Sequence, residues 1–82
     1  MSNVAESIAA AVRNHRKQVS VIVDGVIVDV YAFAGAYHVY FFDGAQSSRV
    51  AYNYADAAAA AFIALVGEDD AEQALWDAAL SP

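Results

Sequence analysis

Between residues 19 and 30 valine recurs at every second position on either side of a single Asp24-Gly25 pair, and no other stretch restricts the fold so tightly. A two-residue hairpin turn of type I′ needs positive φ at both central positions, which Asp-Gly accepts at little cost. The spacing predicts Val23 opposite Val26, Val21 opposite Val28 and Val19 opposite Val30, so valines line one face of the ribbon. Ser20, Ile22, Ile27, Asp29, Tyr31 and Phe33 share the other face. A second tight turn, of type II′, is expected at Gly35-Ala36, leading into residues 37–42. Val39 and Phe41 extend the valine face, while His38, Tyr40 and Phe42 extend the aromatic one. After a loop over 43–48, residues 49–54 alternate once more, with Val50 and Tyr52 inward and Arg49, Ala51 and Asn53 outward.

Helical periods flank this region. Asn3 and Glu6 stand at capping-box spacing before Val4, Ile8, Ala11 and Val12, which predicts a helix over 4–16. Its basic end, Arg13, Arg16 and Lys17, lies where the macrodipole is negative, a sufficient structural reason for those charges. Asn53 or Asp56 is expected to cap a second helix running to Val66, with Gly67 closing it in the left-handed αL conformation. The alanines of 57–61 let this helix approach its neighbours closely, so it reads as the central buried one. Asp70 and Gln73 give another capping-box spacing ahead of an apolar stripe of Ala71, Ala74, Leu75, Ala78 and Ala79. Trp76 in this third helix is expected to pack on the core or between helices, the alternative being an anchor residue that stands out from the surface. The predicted fold is a single α+β domain over 1–82, an antiparallel four-stranded meander with helices on its valine face, in the order α-β-β-β-β-α-α.

A chain of 82 residues with no cysteine and two histidines has neither a disulfide nor the ligands for a four-coordinate Cys/His zinc site. Self-association is then the expected extra support for so small a core. The longest apolar run, 57–66, is half a bilayer span, so no membrane insertion is expected. Glu6 interrupts the amino-terminal stretch and the basic residues follow it, unlike a signal peptide; a cytoplasmic protein is expected. Ser20, Ser47 and Ser48 with His15 or His38 are the candidate nucleophile–base pairs, and none stands in a catalytic motif. His38 reads instead as an interfacial or surface ring. The glycines are scattered singly and form no phosphate cradle. The acids of 68–72, and Asp24 or Asp43 beside glycine, lack the spread of ligands of a calcium-binding loop. The expectation is a non-catalytic protein with no cofactor and no metal.

Charge is uneven along the chain. Residues 1–17 carry Glu6 against Arg13, Arg16 and Lys17; residues 18–82 carry nine acids against Arg49 alone. Such a body repels nucleic acid and attracts basic surfaces. Two recognition surfaces are expected. One is an acidic patch of Asp56, Glu68, Asp69, Asp70, Glu72 and Asp77, able to occupy a groove built from Lys and Arg for phosphates. The other is the outward sheet face, with Tyr31, Phe33, His38, Tyr40, Phe42 and Arg49, whose mixture of aromatics and polar tips suits a homodimer interface or a docked protein. A sheet that binds RNA through aromatics needs surrounding cations, and Arg49 stands nearly alone, so direct nucleic-acid binding is not expected.

In its size, acidity, lack of cysteine and order of elements, through Asp24-Gly25 and Gly67-Glu68-Asp69-Asp70, the chain resembles the small anti-CRISPR proteins of phages and mobile elements. The resemblance implies an inhibitor that works in the cytoplasm of a bacterial host as a DNA mimic. It implies as partner a type I CRISPR effector (Cascade), blocked before it binds DNA by the six acids of the patch. The alternative is a homodimeric phage or bacterial assembly module that uses its aromatic sheet face, with acidity serving solubility.

Overall fold

The computed structural model describes residues 4–80. Along the chain run α1 (Val4–His15), β1 (Val19–Val23), β2 (Val26–Phe33), β3 (Ala36–Phe42), β4 (Ser47–Tyr52), α2 (Ala55–Val66) and α3 (Glu68–Leu80), the order expected from the sequence. The strands form one antiparallel sheet in the order β1-β2-β3-β4. Asp24 and Gly25 take φ of 52° and 80°, the two left-handed residues of a type I′ turn, and Val19, Val21 and Val23 lie opposite Val30, Val28 and Val26 as predicted.

The second hairpin differs from expectation. Its turn is Ala34-Gly35, with φ of 53° and 81°, and Phe33 faces Ala36. A turn at Gly35-Ala36 would shift the register by two residues and leave Ile27 without Phe42. The observed register gains that pair, against about 1–2 kcal/mol for an alanine in the left-handed region. A shift of two preserves the faces but changes the partners, so Val39 and Phe41 stay on the valine face, opposite Val30 and Val28, and His38 lies opposite Tyr31. The last strand starts at Ser47 and ends at Tyr52, two residues earlier at each end than the alternation suggested. The loop before it is set by Asp43, whose Oδ1 accepts N–H bonds from Ala45 at 2.9 Å and Gln46 at 2.7 Å.

Helix ends also depart from the predicted caps. Asn3 lies outside the described residues, so only Glu6 of the first capping pair is placed, in the opening turn of α1. That helix ends at His15, because Arg16 takes a φ of 54°, and the Lys17 N–H donates to the Ala11 carbonyl at 3.1 Å. Neither Asn53 nor Asp56 caps α2: the N-cap is Tyr54, extended at φ −125° and ψ 137°, with no side-chain bond. Gly67 does close α2, but at φ 89° and ψ 156°, a region open essentially to glycine and distinct from αL. Its N–H donates to Ile63 at 2.8 Å and its carbonyl accepts from Ala71 at 3.0 Å, so one residue ends α2 and begins α3. Asp70 therefore lies inside the first turn of α3 and is not the N-cap.

The helices share one side of the sheet. α2 reaches across β2, β3 and β4, α1 packs on α2 and β2, and α3 lies against β1 and α1. Phe62, Ile8, Val12, Val19 and Val30 are the largest fully buried side chains. Buried alanines fill the space between the helices: Ala9 of α1, Ala55, Ala58 and Ala59 of α2, and Ala71, Ala74 and Ala78 of α3. With no atom beyond Cβ they let the helix axes come close, which explains why α2 can be central without large side chains on every face.

Candidate functional site

Five of the six acids of the predicted patch are on α3 and all six are solvent-exposed. At about 100° per residue, Glu68, Asp69, Asp70, Glu72 and Asp77 span about 200° of the circumference of α3, away from the buried Ala71–Ala74–Ala78 stripe. Glu68, Asp69 and Asp70 occupy the first turn, where the helix dipole and unsatisfied N–H groups favour negative charge. Among the described residues these three and Glu72 have no ion-pair partner. Asp77 accepts a hydrogen bond from Gln73 Nε2 at 3.2 Å. Asp56 stands apart: it lies in the first turn of α2, at the far end of that helix from Gly67, and pairs with Arg13 of α1 at 3.8 Å. Both side chains of that pair are well exposed, so it contributes at most about 1 kcal/mol. The structure thus gathers five of the acids on one helix and separates the sixth.

Trp76 does not take the favoured core position and stands out from the surface, the alternative placement. It is 61% exposed, on the side of α3 opposite the alanine stripe and between Asp69, Glu72 and Gln73 in helical projection. The signal was present in the sequence, since the stripe spacing of Ala71, Ala74 and Ala78 excludes position 76 from the buried face.

The second predicted surface is the sheet face opposite the helices, and no described element covers it. Asp29, Tyr40 and Arg49 form one cross-strand row; Tyr31, His38 and Ala51 form the next; Ile27, Phe42 and Ser47 form a third. Phe33 and Arg49 are exposed and Tyr31, Tyr40 and Phe42 half-buried, whereas His38, at 9% exposure, is buried on an otherwise open face. Its ring stacks on Tyr31 with centroids 5.4 Å apart and tilts against Phe33 at 6.2 Å. Nε2 lies 3.1 Å from the Phe33 carbonyl, to which it donates, and Nδ1 is buried with no hydrogen-bond partner among the described residues. His38 is therefore a ring packed inside the aromatic cluster, not a surface one.

A feature absent from the sequence reading is an open apolar groove of about 520 Å³ between α2 and the inner faces of β3 and β4, lined by Val39, Phe41, Val50, Tyr52, Ala61 and Leu65. Among the described residues no hydrogen bond joins a serine to either histidine, and no three His, Cys, Asp or Glu side chains are grouped as metal ligands. Asp43, the acid beside Gly44, spends its Oδ1 on the backbone of its own loop. No described helix is long and apolar enough to cross a membrane. Fold and surfaces together define a small α+β domain with an acidic helix at one end and an uncovered aromatic sheet face. No protein-family model matches the chain, and no curated protein or solved structure is significantly similar to it.

Proposed function

We propose that the chain is a non-catalytic binding module that presents α3 to a cationic, nucleic-acid-binding surface of another protein. In its specific form this is an anti-CRISPR inhibitor that mimics DNA and blocks DNA binding by a type I effector, Cascade. The observation that carries the reading is the exposed carboxylate set Glu68, Asp69, Asp70 and Glu72, which no described cation of the chain neutralises. Carboxylates on a helix packed against the rest of the domain meet a Lys/Arg groove with little ordering cost. Trp76 among them supports a protein partner, because an exposed indole gives large contact area and a face for Arg or Lys.

The test measures DNA binding by a purified type I effector with the protein added. The wild-type protein is expected to suppress binding, and the combined Glu68→Lys, Asp69→Lys, Asp70→Lys variant to lose about 100-fold or more in affinity for the effector. Lysines in a first helical turn oppose the dipole, so the neutral variant Glu68→Gln, Asp69→Asn, Glu72→Gln accompanies it and is expected to lose affinity while keeping the wild-type melting temperature within a few degrees. Unchanged affinity in both variants refutes the mimicry.

The uncovered aromatic face favours a second reading, an assembly module that docks its partner there. Under that reading Tyr31→Ala with Tyr40→Ala abolishes partner binding and the α3 variants leave it intact.

A further inference from the structure

The helices cover the inner face of three strands and leave the fourth half bare. Val50 is 50% exposed, and across the groove from it Leu65 of α2 is 56% exposed. The same strand is an open edge of the sheet: β4 pairs with β3 on one side and with no described strand on the other. Natural sheets usually guard such an edge with a lysine, a proline or a bulge. β4 has neither residue, its one charged side chain is Arg49 on the outer face, and its register with β3 runs unbroken from Tyr37–Tyr52 to Phe42–Ser47.

We propose that β4 pairs antiparallel with β4 of a second copy of this chain about a two-fold axis at Val50, so that the two sheets become one and the two grooves close on each other. The strand is self-complementary in that register. Val50 meets Val50, and Ser48 meets Tyr52, on the inner face; Arg49 meets Ala51 on the outer face. An axis at Arg49 would set two guanidinium groups directly opposite each other. An axis at Ala51 would keep only residues 50–52 of the strand in the pairing. Charge selects the same edge. A chain of formal charge −6 repels its own copy wherever acids meet, yet no acid lines the groove and Arg49 is the only charged residue of β4. The opposite edge is unsuited, because α3 lies against β1 and Asp77 lines the cleft there with Gln18 and Ser20. Pairing through β4 leaves α3 at the two far ends of the joined sheet, so the inference is independent of the proposed function.

Sedimentation of the full chain over a concentration series up to about 1 mM tests it. The wild-type protein is expected to sediment as a dimer at the upper end, and Val50→Lys, a charge pointing into the closed groove, to weaken association at least about tenfold. Because the chain has no cysteine, Val50→Cys is a clean second probe. Residues opposed across an antiparallel pair lie about 4.5–5.5 Å apart at Cα, within disulfide reach, so mild oxidation is expected to yield a covalent dimer. Should Val50→Lys disturb folding by circular dichroism, the cross-link decides alone. A wild-type monomer throughout, a Val50→Cys protein that stays uncross-linked, or a dimer that survives Val50→Lys but falls apart in the Tyr31→Ala, Tyr40→Ala protein overturns the proposal.

Discussion

Val19 on β1 and Val50 on β4 both point to the helix-covered side of the sheet, one at each edge, yet Val19 is fully buried and Val50 is half exposed. The difference lies in the helices. At the β1 edge, α3 packs beside the strand with its alanine stripe, and α1 packs against α3 in turn. At the β4 edge α2 is the main described helix beside the strand, and there it offers Ala61 and Leu65 with a gap of about 520 Å³ between them and the sheet. One edge was finished by the chain's own helix; the other was left with apolar surface and with backbone that no described strand pairs.

Paired truncations measure that asymmetry most directly. Val19→Ala is expected to lower the unfolding free energy by about 2–3 kcal/mol, from lost transfer energy plus the cavity left in a close-packed site. Val50→Ala removes the same atoms from a half-open groove and is expected to cost less than about 1 kcal/mol. Urea denaturation of both variants at low protein concentration, where self-association does not contribute, reads the difference. Equal losses would mean that the groove is closed in solution even in the isolated chain.

The α2–α3 corner decides whether the β1 edge stays covered, and Gly67→Ala probes it with a smaller expected effect. A Cβ at Gly67 would meet no atom within 4 Å, so the substitution removes no contact and creates no clash beyond its own backbone. Its φ of 89° and ψ of 156° nevertheless belong to glycine, and a cost of about 2 kcal/mol is expected from conformation alone. Hydrogen exchange is expected to show the loss concentrated in α3 and β1, with the β3–β4 pairing little changed. Uniform loss across the sheet would show that both edges unfold as one unit.

How much of this was legible follows from the range of each interaction. The valine ribbon was readable because Asp24-Gly25 fixes its own register locally, and each pairing then follows by counting. The Ala34-Gly35 turn was not, since alanine is a poor left-handed residue and is held there by pairs made far along the strands, Ile27 with Phe42 among them. The cluster of acids at the start of the third helix was legible, but not that Glu68 and Asp69 belong to the helix ahead of Asp70, and the separation of Asp56 and its pairing with Arg13 depend on how α1 crosses α2, which periodicity does not encode. The groove is of the same kind: Val50 and Tyr52 were correctly read as inward, yet whether a helix covers them depends on where α2 ends its traverse. Trp76 is the reverse case, a residue whose exposure its own helical spacing predicts once the alanine stripe is given its full weight.

The smallest expected effect concerns what holds the open edge in place. Where β1 has a helix beside it, β4 is led in by the loop of Asp43, whose carboxylate accepts the N–H groups of Gln46 and Ala45. Those backbone bonds, Gln46 first, hold the Asp43 carboxyl below its usual pKa of 3.8. The sign follows directly: with the folded value depressed, the ionised group stabilises the fold above the unfolded pKa, and that contribution fades as pH falls through the folded one. Asp43 is fully exposed, so solvent screens the effect and it stays small. The melting temperature of Asp43→Asn is therefore expected to lie slightly below wild type at pH 7, with the gap closing toward pH 2, because Asn keeps an acceptor oxygen but not the charge. A gap that persists unchanged in acid would assign the anchoring to loop geometry and not to the carboxylate, and β4 would then be held by the same kind of contact at every pH.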